Sequence, residues 1–219
     1  IRFTVNTPKA VSFPFYLRIP SWTEGATIFV NGKKVAANPE AGQYACINRE
    51  WKDNDQVEIQ LPMQLSMRTW QVNKNSVSVD YGPLTMSLKI DEDYVKKDSR
   101  ATAIGDSKWQ EGASQWPTYE IYAKTPWNYA LVLGKNEPLK DFKVVHKEWP
   151  ADNFPFTVAS TPIEVKAIGR KVPSWVIDQY DLCSELPEMD APKGEKEEIT
   201  LIPMGAARLR VSAFPNTRE

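Results

Sequence analysis

The chain has 219 residues, with 27 Lys and Arg against 28 Asp and Glu, so its net charge is −1. No basic excess or clustered Lys/Arg stripe is present to attract nucleic acid, and no apolar run approaches the ~20 residues that a bilayer-spanning helix needs. A chain of this length holds one large or two small domains with real cores.

Ile1, Phe3 and Val5 alternate, so the chain opens inside a strand. It is therefore expected to be a piece of a longer protein, which leaves its compartment open. Phe13, Phe15, Leu17 and Ile19 alternate next, the period of a strand with one buried face. Pro20 stops that strand because it cannot donate to a ladder. Ala26, Ile28 and Val30 alternate into Asn31-Gly32, with Lys33, Lys34 and Val35 beyond. Asn-Gly supplies two residues tolerant of positive φ, as a two-residue type I′ hairpin requires. A strand through Tyr44–Asn48 leads to the turn Trp51–Asp55, and Val57, Ile59 and Leu61 alternate up to Pro62. Five strands in some sixty residues is sandwich spacing. The predicted first core is Phe15, Leu17, Ile19, Ile28, Val30, Val57, Ile59 and Leu61, with Trp22, Trp51 and Trp70 as caps at strand ends.

Polar Gln71–Ser76 places a domain boundary near Asn73. Val77, Val79 and Tyr81, then Leu84, Met86, Leu88 and Ile90, predict two strands or one long strand bent at Gly82-Pro83. Asp91–Gln115 is polar and reads as an irregular surface insertion. Strand-like sequence returns over Trp116–Leu133, Phe142–Val145, Ile163–Ile168, Ile199–Pro203 and Arg208–Phe214, and Lys193–Glu198 reads as a solvated loop. The predicted fold is all-β: two antiparallel β-sandwich, jelly-roll-like domains in tandem. The first spans residues 1–72 and the second 73–219, with the insertion at about 91–115.

Reactive residues are sparse. Cys46 and Cys183 lack C-x-x-C spacing and make no zinc half-site. Cys46 reads as a buried apolar thiol and Cys183 as incidental. His146 is the single histidine, and no Gly-x-Ser-x-Gly elbow accompanies it. Asp53 and Asp55 read as turn formers, because short Asx side chains bond nearby backbone. Eight tryptophans remain as a hint of sugar contact, since flat rings meet the apolar faces of sugars. Trp109, Trp116 and Trp127 are the candidates for carbohydrate contact, against a packing role for each.

Three blocks carry a resemblance. Phe15–Trp22 with Val30-Asn31-Gly32, Tyr81-Gly82-Pro83-Leu84, and Ile202-Pro203-Met204-Gly205 with Arg208-Leu209-Arg210 resemble the C-terminal region of glycoside hydrolase family 127, the bacterial β-L-arabinofuranosidases. Met204 stands where that family usually has Tyr. Thr125–Leu131 resembles a variant of the same region. The resemblance covers residues 1–90, 116–133 and 199–215. It implies two β-sandwich domains that follow an (α/α)₆ barrel. In that family the barrel holds the nucleophile, a zinc-bound cysteine thiolate, with further cysteines and a glutamate. None of those motifs has a counterpart here, so no catalytic residue, metal ligand or cofactor is carried over.

The expectation is a non-catalytic accessory region that supports the missing N-terminal barrel, its principal partner, with a homodimer left open. The alternatives are a carbohydrate-binding module for plant-type polysaccharide and a structural or adhesive sandwich. Nucleic acid and a membrane span are not expected. The resemblance favours a bacterial periplasmic or extracellular location over a cytoplasmic one.

Overall fold

The computed structural model describes residues 1–37, 39–97, 118–180 and 182–219. The fold is all-β, and its one helical element among the described residues is a 3₁₀ turn at Met204–Ala206. None of the described helical residues forms a helix long and apolar enough to cross a membrane. Two compact units form, Ile1–Ser66 with Asp80–Pro83, and Met67–Val79 with Leu84–Glu219. The sequence places one crossing near Asn73. The chain instead passes between units at 66/67, 79/80 and 83/84.

The first unit is a small sandwich. One sheet has the order β1 (Arg2–Val5), β6 (Asp55–Gln60), β3 (Thr27–Val30), β4 (Lys33–Lys34), and β2 (Val11–Arg18) pairs with β5 (Tyr44–Trp51) in the other. Every pairing here is antiparallel. The hairpin β3–β4 turns at Asn31 and Gly32, whose φ values of 51° and 76° are the two positive angles that a type I′ turn demands. Asn31 also ties the turn to β6: its Nδ2 donates to Asp55 Oδ1 at 2.7 Å, and the Gln56 amide donates to its Oδ1 at 2.8 Å.

Both sheets contribute to one core. Leu17 and Ile19 meet Ala45, Ile47 and Trp51, and face Ile28, Val30, Val57 and Ile59. Phe15 and Leu61 pack against this cluster while half-buried. The predicted core residues are thus all found in or on it. Trp51 departs from its predicted role as a cap: it is fully buried, and its Nε1 donates to the Phe13 carbonyl at 2.9 Å. Arg49 shares the inward face of β5 by laying its guanidinium 5.1 Å from the Trp51 ring, apolar stem inside and charge at the rim.

The second unit is built on one eight-stranded sheet. Its order is β16 (Asn216–Arg218), β12 (Tyr129–Leu133), β14 (Ile163–Lys171), β15 (Lys196–Pro203), β9 (Leu84–Leu88), β8 (Ser76–Tyr81), β7 (Leu65–Trp70). β13 (Lys143–His146) adds to β14 beside β12. β12 and β16 run parallel. Gly82-Pro83 makes two strands rather than one bent strand, with Gly82 at φ 55°. Leu131, Leu133, Val165, Leu201, Ile202 and Phe214 are fully buried.

Two predicted segments differ. The polar stretch expected to be irregular from Asp91 begins with strand β10 (Glu92–Lys97), which pairs antiparallel with β11 (Thr118–Ala123). Charges on Glu92, Asp93, Lys96 and Lys97 hide its alternation, and its partner lies twenty residues away. Arg208–Phe214 is not a strand. Its backbone bonds are intermittent, with the Val211 carbonyl accepting from the Leu88 amide and Phe214 bridging Val77. Pro215 lacks a donor, and regular pairing resumes at Asn216.

Candidate functional site

The second unit carries an open groove of about 1010 Å³ whose walls include Ile121, Tyr122, Trp127, Ile177, Leu209 and Arg210. The turn between β11 and β12 brings Trp127 to it. Asn128 fixes that turn, its Nδ2 donating to the carbonyls of Val172 at 3.0 Å and Trp175 at 3.1 Å. Trp127 is half-buried and meets buried Trp175 edge to face, ring centroids 5.1 Å apart at 70°. Trp175 is held in turn, with its Nε1 donating to the Ser184 carbonyl at 3.1 Å. The rings therefore serve a packed cluster with Ala130 and Val172, and Trp127 both packs and lines the groove. Trp109 and Trp116, the other two sugar-contact candidates, lie outside the described residues.

Ile177 and Cys183, paired by a bridge in the loop after β14, also line the groove. Asp178 Oδ1 accepts from the amides of Tyr180 at 2.8 Å and Leu182 at 3.0 Å, the short-range bonding typical of an Asx turn. Desolvation raises the Cys183 thiol above its ordinary value. A contact with Trp175 works against this, and the Asp178 carboxylate adds to it. The thiolate is the nucleophilic form of cysteine, so this environment suppresses nucleophilicity in Cys183.

Cys46 corrects the sequence expectation. It is exposed, not buried, because Ala45 and Ile47 take the inward face of β5 and alternation turns Cys46 outward beside its cross-strand neighbour Tyr16. Both cysteines are free thiols. His146 is exposed at the end of β13. Among the described residues, no group of three His, Cys, Asp or Glu converges as a metal site would require.

Two of the three buried carboxylates among the described residues, Asp55 and Glu164, are held by partners the structure shows. Asp55 accepts from Asn31 Nδ2 and from the Lys52 amide at 2.9 Å, with Arg49 at 3.4 Å. Those bonds, the Asn31 contact foremost, hold its carboxyl below the usual range. Asp55 thus bonds nearby backbone as a turn former does, whereas Asp53 accepts from the distant Thr7 amide at 3.1 Å. In the second unit, Glu164 lies among three ammonium groups. Lys147 at 2.5 Å and Lys89 at 3.3 Å reach Oε1, and Lys166 at 3.6 Å reaches Oε2. Burial opposes ionisation of Glu164, but Lys147 and Lys89 outweigh it and hold the carboxyl below its ordinary value. Each carboxylate already has its partners, unlike a general acid or base poised for a substrate.

A family model, the Beta-L-arabinofuranosidase, GH127 middle domain, matches residues 1–63, nearly the whole first sandwich. The chain contains a GH127-like region. Two solved structures share the fold over 99% of this chain: a protein described as a glycoside hydrolase, at 23% identity and TM-score 0.58, and a GH127 beta-L-arabinofuranosidase from Geobacillus stearothermophilus T6, at 21% identity and TM-score 0.56. At those identities the likeness shows the fold. The chain spans 30% and 28% of those proteins' lengths. Comparison with curated proteins gives no match. The GH127-like region thus coincides with the unit whose hairpin and core were readable from alternation.

Proposed function

We propose that this GH127-like chain is a non-catalytic accessory region of a glycoside hydrolase, and that it supports a helical catalytic barrel carried elsewhere on the same polypeptide. The observation that carries this reading is the match of residues 1–63 to a middle domain, a part of an enzyme defined by what flanks it. The chemistry agrees. Cys183 sits where its thiol is held protonated, and Asp55 and Glu164 are saturated by donors and cations. Purified residues 1–219 should give no turnover of an aryl β-L-arabinofuranoside. Turnover abolished by Cys46→Ala would refute the reading, since it would put the nucleophile on an exposed sandwich strand.

The groove favours a second reading, carbohydrate binding. Ligand pockets typically occupy about 300–1,000 Å³ with a few polar groups among apolar walls, and Trp127, Tyr122 and Arg210 offer that mixture. Calorimetric titration with arabinan fragments tests it. Binding lost in Trp127→Ala, with circular dichroism unchanged, would support the module, and no heat in the native chain would remove it.

A further inference from the structure

Three exposed aromatic rings of the second unit share one connection. Residues 147–162 join β13 to β14, and the Lys147 amide donating to the Pro162 carbonyl at 2.7 Å closes their base. Trp149, Phe154 and Phe156 on this connection are 61%, 51% and 60% exposed. A floppy loop would explain exposed rings without function, but this loop is built. The Asn153 amide donates to the Pro150 carbonyl at 2.9 Å, with Asn153 at φ 56°, a conformation Asn tolerates better than most residues. Asp152 Oδ1 accepts from the Phe154 amide at 3.0 Å, and Ser160 Oγ donates to the Phe154 carbonyl at 2.7 Å. Thr161 is buried, with its amide donating to the Thr157 carbonyl at 3.1 Å. Val158 anchors the loop from below against Ile202, Ala206 and Ala207. The structure therefore holds three large rings outward on a fixed support.

The polar chemistry separates a sugar from a protein partner. A sugar site keeps donors and acceptors ready beside its rings. Here Trp149 Nε1 already donates to Asn153 Oδ1 at 2.7 Å, and Asp152 and Ser160 are bonded within the loop. Phe154 and Phe156 meet edge to face at 5.4 Å and have no polar edge to offer. What remains to be covered is apolar and aromatic, the composition of an interface core. The matched solved proteins extend over more than three times this chain's length, so a covalently linked partner is the occupant most at hand.

We propose that Trp149, Phe154 and Phe156 form the knob through which the second unit docks on an apolar surface of the remaining parent polypeptide. This rests on the accessory reading above and names its contact surface. Hydroxyl-radical footprinting of the full-length parent and of residues 1–219 tests it. Rings about 55% exposed that enter an interface packed like a protein interior should lose at least about fivefold in labelling in the parent. Phe154→Asp/Phe156→Asp should leave the melting temperature of residues 1–219 unchanged and, in the parent, restore labelling of Trp149. Equal labelling in both proteins would overturn the proposal. Protection of residues 1–219 alone that rises with protein concentration, or with added arabinan, would overturn it in favour of self-association or of sugar. If a barrel made without this region proves soluble and active, the accessory reading fails. If the barrel needs the region while the rings stay labelled, only the docking surface is wrong.

Discussion

Glu164→Gln isolates the charge at the centre of the second unit's lysine cluster while keeping the side chain's shape. In the native protein one nearly buried carboxylate answers three ammonium groups within 3.6 Å. Removing one partner of a fully buried pair costs about 3–5 kcal/mol. The three lysine side chains here are 33–41% exposed and can rehydrate, so the expected loss is smaller. An estimate of about 1–3 kcal/mol at pH 7 follows from charged hydrogen bonds being worth about 1.5–3 kcal/mol. Two compact units can unfold separately, so the assay is hydrogen exchange of peptides covering β14, read against intrinsic rates. At tenfold per 1.4 kcal/mol, opening of that strand should become roughly 5- to 150-fold more frequent. The sign with pH is fixed by the lowered folded-state carboxyl. Its stabilisation is fully present above the ordinary value of 4.5 and is lost as pH falls through the folded value. Variant and native protein should therefore draw together as pH falls below 4.5. Unchanged exchange at pH 7, or a difference that does not shrink as pH is lowered below 4.5, would show that the carboxylate charge does not hold this strand.

Leu17→Ala and Ile59→Ala should each destabilise the first sandwich by about 2–5 kcal/mol, as buried large-to-small changes do, measured as a fall in urea midpoint with an unchanged slope. A loss below about 0.5 kcal/mol at both sites, the range of surface changes, would mean that the inward face is misassigned. Gly82→Ala should cost about 1–3 kcal/mol, since its φ is positive and a Cβ would stand 2.7 Å from Met63 Cγ; an unchanged melting temperature would contradict this. Cys183 should react with a disulfide reagent at pH 7.5 more slowly than a free model thiol, because its thiol is held above the ordinary value. Reaction at or above the model rate, followed in Cys46→Ser, would show otherwise.

Local signals carried the first sandwich. Asn31-Gly32 announces its turn through backbone geometry alone, and the alternation of Leu17, Ile19, Ile28, Val30, Val57 and Ile59 survives because the charges between them, Arg18 and Glu58, fall on the outward face. On β5 the same logic is obscured. Arg49 stands between Ile47 and Trp51 on the inward face, which disguises Trp51 as a strand-end cap and leaves Cys46 looking buried. β10 was hidden by its charges, and Arg208–Phe214 shows apolar residues that contact the sheet without a continuous ladder. The candidate site was less legible still. Trp127 could be named, but its place against Trp175 and the groove depends on Asn128 reaching carbonyls more than forty residues away. Nothing in the local sequence singles out Trp149, Phe154 and Phe156 as outward-facing rings. Only the anchoring of Val158 and Thr161 beneath them decides which way they face.

On the proposed reading, this region supports a catalytic barrel and does no chemistry itself. Expressing the parent hydrolase with and without residues 1–219, and then the barrel together with residues 1–219 as a separate chain, measures that directly through soluble yield and β-L-arabinofuranosidase turnover. The barrel should be insoluble or markedly less stable alone and should recover on co-expression. A barrel that is soluble and fully active without this region would contradict it.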